Sequence, residues 1–134
     1  MRRDVYSGRL KLNGDEHEET VREANNYTGT LLKLRRFEEA KSLLRKTIPV
    51  ARRVLGENHN LTLMMKWNYA LALYQYADAT LDDLREAVNT LEETERTARH
   101  VLGGAHPTRT LIDKSLIHSR AVLRAHDTPS ARSA

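Results

Sequence analysis

Apolar residues recur three and four positions apart through most of the chain, the spacing that lays one stripe along an α-helix. Tyr27 and Leu31 stand four apart in one stretch, Tyr69 and Leu73 in another, and with Ala40 and Ala87 they are assigned to the core. The pattern predicts five helices, over about 18–34, 37–55, 60–76, 81–102 and 107–126, the last carrying Leu111, Leu116, Ile117 and Leu123. Punctuation agrees. Gly56 and Gly103 follow periodic stretches where a left-handed residue closes a helix. Pro107 suits a first turn, whose N–H is unpaired in any case. Thr80 and Asp83 resemble a capping box with Asp in the acidic place. Pro49 lies inside the second helix, where it removes a backbone bond and should kink it. A polar tail, 127–134, has little reason to fold.

The chain repeats itself. Ala51-Arg52-Arg53-Val54-Leu55-Gly56-Glu57-Asn58-His59 and Ala98-Arg99-His100-Val101-Leu102-Gly103-Gly104-Ala105-His106 share the frame A-R-x-V-L-G-x-x-H, displaced by 47. Gly14-Asp15-Glu16-His17 through Val21 shares G-x-x-H-x-x-T-apolar with Gly56 through Leu63, displaced by 42. Asn26-Tyr27 falls on Asn68-Tyr69, and Glu39-Ala40 on Glu86-Ala87, so the second unit carries about five extra residues near Tyr76 to Leu81. Each unit is a helical hairpin, repeat one at 14–55 and repeat two at 56–102, with a capping helix at 107–126 in one domain spanning 1–126. The stretch 5–12 aligns with the end of a preceding second helix and is expected to cap the first unit.

Leu55-Gly56-Glu57-Asn58-His59 through Leu63, followed by Asn68-Tyr69-Ala70, resembles the kinesin-light-chain type of tetratricopeptide repeat, which uses about 42 residues per unit. Arg36-Phe37-Glu38-Glu39-Ala40 resembles that family's turn into the second helix. The departures are Arg35 at a position usually glycine, a His-Pro pair intact only at His106-Pro107, and the insertion in unit two. No heptad pattern precedes the array, so the expectation is a short protein with light-chain-like repeats rather than a kinesin light chain. The resemblance implies an all-α tetratricopeptide-like helical-hairpin solenoid, of about two full repeats plus a C-terminal capping helix. It is right-handed, with the first helix of each unit lining a concave groove.

Composition narrows the chemistry. There is no cysteine, which removes disulfides, thiolate nucleophiles and Cys-based metal sites. No stretch of about 18 apolar residues offers a membrane span, and the N-terminus lacks the apolar core of a secretory signal. A soluble, cytoplasmic protein is expected. The net charge is only +4, but it is segregated. Between Lys33 and Arg53 stand eight basic residues and two acids, and between Asp78 and Glu95 seven acids and one base. The two regions can pair within the solenoid or between copies. Nucleic-acid binding is disfavoured, because the basic helix has only Phe37 to stack a base.

His17, His59 and His106 share one repeat position. Spaced by a whole unit, roughly 10 Å between packed helices, they cannot converge on one zinc, whose ligands sit within about 2.1 Å. A turn role is expected, and no metal. The acidic clusters read as solvated helix faces without a desolvated pocket, so no catalytic residue and no cofactor is assigned. The groove remains. On the family's pattern it includes Arg22, Asn25, Asn26, Gly29 and Lys33 from unit one, and Met64, Trp67, Asn68, Leu71, Tyr74 and Gln75 from unit two. Asn25, Asn26 and Asn68 would bond a partner's main chain, Trp67 and Tyr74 would anchor it, and Arg22 and Lys33 would favour an acidic segment. A purely packing role for Trp67 is the competing reading. The expected function is a non-catalytic protein–protein interaction module. The alternative is a small structural subunit, an assembly factor or a self-assembling homo-oligomer.

Overall fold

The helix ends show why these segments fold where they do. In a computed structural model that describes residues 18–104 and 106–127, five helices follow one another: α1 (Glu18–Lys33), α2 (Phe37–Leu55), α3 (Asn60–Tyr74), α4 (Leu81–Leu102) and α5 (Pro107–Asp127). The first two residues of α1, Glu18 and Glu19, are acidic and its last residue is Lys33, complementing the helix dipole. Its end is a Schellman turn: the Arg35 N–H reaches the Leu32 carbonyl at 3.0 Å and the Arg36 N–H the Leu31 carbonyl at 2.9 Å. Arg35 takes the left-handed position at φ 60, the only non-glycine with positive φ among the described residues.

The repeated histidine is a cap. His59 Nδ1 accepts the Leu61 N–H at 3.0 Å, and His106 Nδ1 accepts the Thr108 N–H at 3.1 Å. An imidazole nitrogen thereby satisfies an orphan donor at the start of α3 and of α5, as Ser or Asp does elsewhere. His17 lies outside the described residues, as do the 5–12 stretch and residues 128–134. At α4 the capping box is complete, with Asp83 N–H to Thr80 Oγ1 and Thr80 N–H to Asp83 Oδ2, both 3.1 Å. Gly56 and Gly103 do have positive φ, but with ψ 161 and 174. That is the extended half of positive-φ space, open essentially to glycine alone, rather than the left-handed helical well the pattern predicts.

Three helix ends differ from the expected ones. α1 stops at Lys33, leaving Leu34 exposed in the turn. α3 stops at Tyr74, two residues early, because the chain turns there: the Ala79 N–H bonds the Tyr76 carbonyl, and the Tyr76 ring lies 5.8 Å from that of Phe37. α5 runs one residue further, through Asp127, which the sequence placed in the tail. α2 is not broken at Pro49, although the Arg45 carbonyl four residues back loses its helical donor.

Each helix packs on the next, and the first helices also pack on one another, α1 on α3 and α3 on α5; α2 and α4 do not meet. An array that is close on the first-helix side and splayed on the other is concave toward α1, α3 and α5. The fold is the all-α tetratricopeptide-like solenoid. Its main core joins Val21, Leu44, Leu63, Met65, Leu73, Leu84, Leu91 and Ile112, all essentially without solvent contact. A satellite of Leu31, Ala40 and Ala72 is covered by Tyr27, which is only half-buried. No helix of the described residues is long and apolar enough to cross a membrane.

Candidate functional site: the face of the first helices

α3 is buried on almost every side, because it touches all four other helices. Within it only Asn60, Met64 and Trp67 keep substantial exposure, and Gln75 just beyond its end is exposed. With Leu71 these positions form one stripe at intervals of three and four. α1 presents a parallel stripe, Arg22, Asn26, Gly29 and Lys33, of which Arg22, Asn26 and Lys33 are exposed. On α5 the positions in the same repeat register are Leu111, Lys114 and His118, all exposed. The three stripes lie on neighbouring helices and together form the concave face.

The seams between them are polar. Asn68 Nδ2 donates to Asn25 Oδ1 at 2.9 Å, and both side chains are buried. Trp67 Nε1 donates to Ser115 Oγ at 2.8 Å. The Tyr74 ring meets His118 edge-on at 5.3 Å. Burial pushes the Tyr74 phenol above its ordinary range, against a smaller opposing effect of the Ser115 hydroxyl. Ser115 thus stands between the two aromatic groups of α3 and fixes α5 against them.

The structure therefore divides the residues that the sequence assigned to a ligand. Arg22, Asn26 and Lys33 are exposed on the face, and Trp67 shows part of its ring there while its N–H is committed to Ser115. Arg22 also reaches Glu18 at 3.5 Å, a solvent-exposed pair of little energetic weight. Asn25, Asn68 and Tyr74 differ from the expectation. They are buried in the seams, because amides facing across two packed helices satisfy each other and a ring at the α3–α5 contact is covered by α5. Lys114, Ser115 and His118 were missed. The displacement of 47 that relates His59 to His106 also carries Trp67 to Lys114, Asn68 to Ser115 and Leu71 to His118. Treating α5 as a cap, rather than as the first helix of a third unit, hid them.

A tetratricopeptide repeat family model matches residues 24–61. That span runs from the middle of α1 through α2 to the start of α3, one hairpin with the connection to the next, and it supports a tetratricopeptide-type protein. No curated protein matches the chain. Tetratricopeptide repeats are generally protein–protein interaction modules and typically non-catalytic. Among the described residues no three His, Asp or Glu side chains converge on a metal-sized site.

Proposed function

We propose that the concave face binds an acidic segment of a partner protein, without catalysis. The observation that carries this reading is the charge of the three stripes: Arg22 and Lys33 on α1 and Lys114 on α5 flank the half-exposed Trp67 of α3. A partly exposed ring with cations on the helices to either side suits a chain segment that pairs an apolar anchor with carboxylates. The Asn25–Asn68 pair stiffens the floor, and Asn26 supplies the amide free to meet a partner's main chain. Light-chain-like character is supported by the displacement of 42 between the units and by the Leu55-Gly56 and His59 frame.

Charge removal on exposed positions tests this without touching the core. A fluorescent acidic peptide library should bind the wild-type chain, and Arg22→Gln with Lys33→Gln should abolish binding. The melting temperature should fall only slightly, through the lost Lys33 interaction with the helix dipole and the weak exposed Arg22–Glu18 pair. Retained binding in that variant would reject the groove. A second reading, self-association through the end of the array, is favoured by Ile117, which is 68% exposed on α5. Light scattering at two concentrations separates the two: a constant monomer mass rejects self-association, and a rising mass that Ile117→Glu abolishes establishes it.

A further inference from the structure

A second concavity lies on the opposite side of the array. Because α2 and α4 stay apart, a cleft of about 230 Å³ opens between them over α3. Its apolar part is Leu44, Ile48 and Pro49 of α2 and the Tyr69 ring of α3, and its far wall is the α4 stretch from Thr90 to Thr94. Arg45, Lys66 and Arg52 bring three cations to the near wall. Arg45, Pro49 and Arg52 succeed one another at intervals of four and three, so one face of α2 delivers both guanidinium groups on either side of the proline ring.

Few carboxylates contact these cations directly. Lys66 is a buried ammonium, its side chain only 6% exposed, and its partner is Glu57 Oε1 at 2.7 Å. The same oxygen takes Arg52 Nε at 3.1 Å, so one carboxylate serves two cations. Arg45 makes no direct ion pair among the described residues, and the Glu86 and Glu38 carboxylates act on it only from a distance. Its Nε donates to the Tyr69 hydroxyl at 3.2 Å, and that hydroxyl donates onward to Glu86. A buried ammonium has three N–H donors and a large desolvation cost, so further acceptors at its surface are favourable. Glu93 stands on the far wall and is exposed; it opposes any anion that reaches across the cleft.

We propose that this cleft binds a phosphate monoester, with the phosphoryl group among Lys66, Arg45 and Arg52 and the ester's apolar stem against Leu44, Ile48 and Pro49. A phosphoryl dianion answers the partly compensated charge of the near wall better than a carboxylate does, since one carboxylate there is shared by two cations and the third has none in direct contact. It also offers three acceptor oxygens to the forked guanidinium donors. The volume exceeds that of a bare phosphate, which leaves room for the stem. The site lies on the opposite side of the array from the concave face, with Arg45 and Arg52 on α2 and Lys66 on α3.

Phenyl phosphate titrated into the 15N-labelled chain tests the assignment, with inorganic phosphate and benzoate as comparators and backbone amide shifts as the readout. The expected result is a saturable shift at residues 44–52, Lys66 and 90–94, tighter for phenyl phosphate than for either comparator. Arg52→Gln should weaken binding about tenfold, and Glu93→Gln, which removes the opposing carboxylate without touching the core, should tighten it. Shifts that fail to saturate, or equal shifts at the outward Lys46, would overturn the proposal as non-specific adsorption. So would binding unchanged by Arg45→Gln and Arg52→Gln together. A phosphoserine peptide with an apolar flank separates the sources: tighter binding than phenyl phosphate assigns the site to a phosphorylated protein, and weaker binding to a small phosphorylated molecule.

Discussion

Arg35 should be more stable as glycine than as alanine, which reverses the usual order of those two residues in a helical protein. It occupies the left-handed position of the Schellman turn at φ 60, held by the Arg35 and Arg36 N–H bonds to Leu32 and Leu31. A side chain with a Cβ costs about 1–2 kcal/mol there, whereas glycine costs about 0.5–1 kcal/mol more than alanine in chain entropy. The Arg35 guanidinium also lies 5.3 Å from the centre of the Phe37 ring, an exposed contact of about 0.5–1 kcal/mol. Both substitutions lose that contact, so it cancels in the comparison. What remains favours Arg35→Gly over Arg35→Ala by about 0.5–1 kcal/mol, or about 2–5 °C in melting temperature for a chain of this size. Paired thermal melts by circular dichroism measure it. Equal melting temperatures, or a more stable alanine variant, would refute the account of this turn.

Asn68→Ala strands the buried Asn25 Oδ1, so it should cost about 1–3 kcal/mol in urea unfolding; adding Asn25→Ala should cost much less than a second independent loss, and simple additivity would deny the pairing. Gly29→Ala should stabilise α1 by about 0.8–1 kcal/mol, because an added Cβ there meets nothing within 4 Å, and a loss of stability would show hidden contacts. The Tyr69 phenol is raised above its ordinary 10.0, first by burial and then by its bond to Glu86. A raised folded value means stability complete below pH 10 and lost as pH climbs through the folded value. Tyr69→Phe should therefore melt with less alkaline loss between pH 9 and about 11, and an unchanged alkaline limb would reject the coupling. Glu57 runs the other way. Its carboxyl is lowered by the Lys66 bond first, so its contribution is present above about pH 4.5 and fades in acid. Glu57→Gln should flatten the acid limb of the melting profile.

The parts of this fold visible in the sequence are those that recur. The displacements of 42 and 47 give the hairpins and mark the histidines and glycines as turn residues, because they recur at one position of each unit. That the imidazoles of His59 and His106 are helix caps, and that Gly56 and Gly103 are extended rather than left-handed helical, is not readable from the repeat. What the sequence hides is the partner of each polar side chain across a seam. Asn25 and Asn68 look alike whether they face water or each other, and only the approach of α1 to α3 decides. The same holds for Tyr69. Its position marks it as core, and its ring is buried, but its hydroxyl is where the basic α2 and acidic α4 connect. The pairing of those two regions is legible as charge segregation. That it runs through a tyrosine, because the two helices never meet, is not.

The central helix is what ties the two faces together. α3 turns Trp67 toward the concave side and Lys66 and Tyr69 toward the cleft, so neighbouring residues on one short helix serve opposite surfaces. A helix packed on all sides cannot tilt to suit one face without moving the other. Substitutions within α3 will therefore disturb both faces at once and report on neither alone. The separable probes are those on the outer helices: Arg22 and Lys33 read the concave face through α1, and Arg52 and Glu93 read the cleft through α2 and α4. If the two faces are functionally distinct, variants in the first pair leave phenyl phosphate binding unchanged and variants in the second leave acidic-peptide binding unchanged. Loss of both on changing either pair would mean that the helices respond as one body and that a single ligand-linked change serves both surfaces.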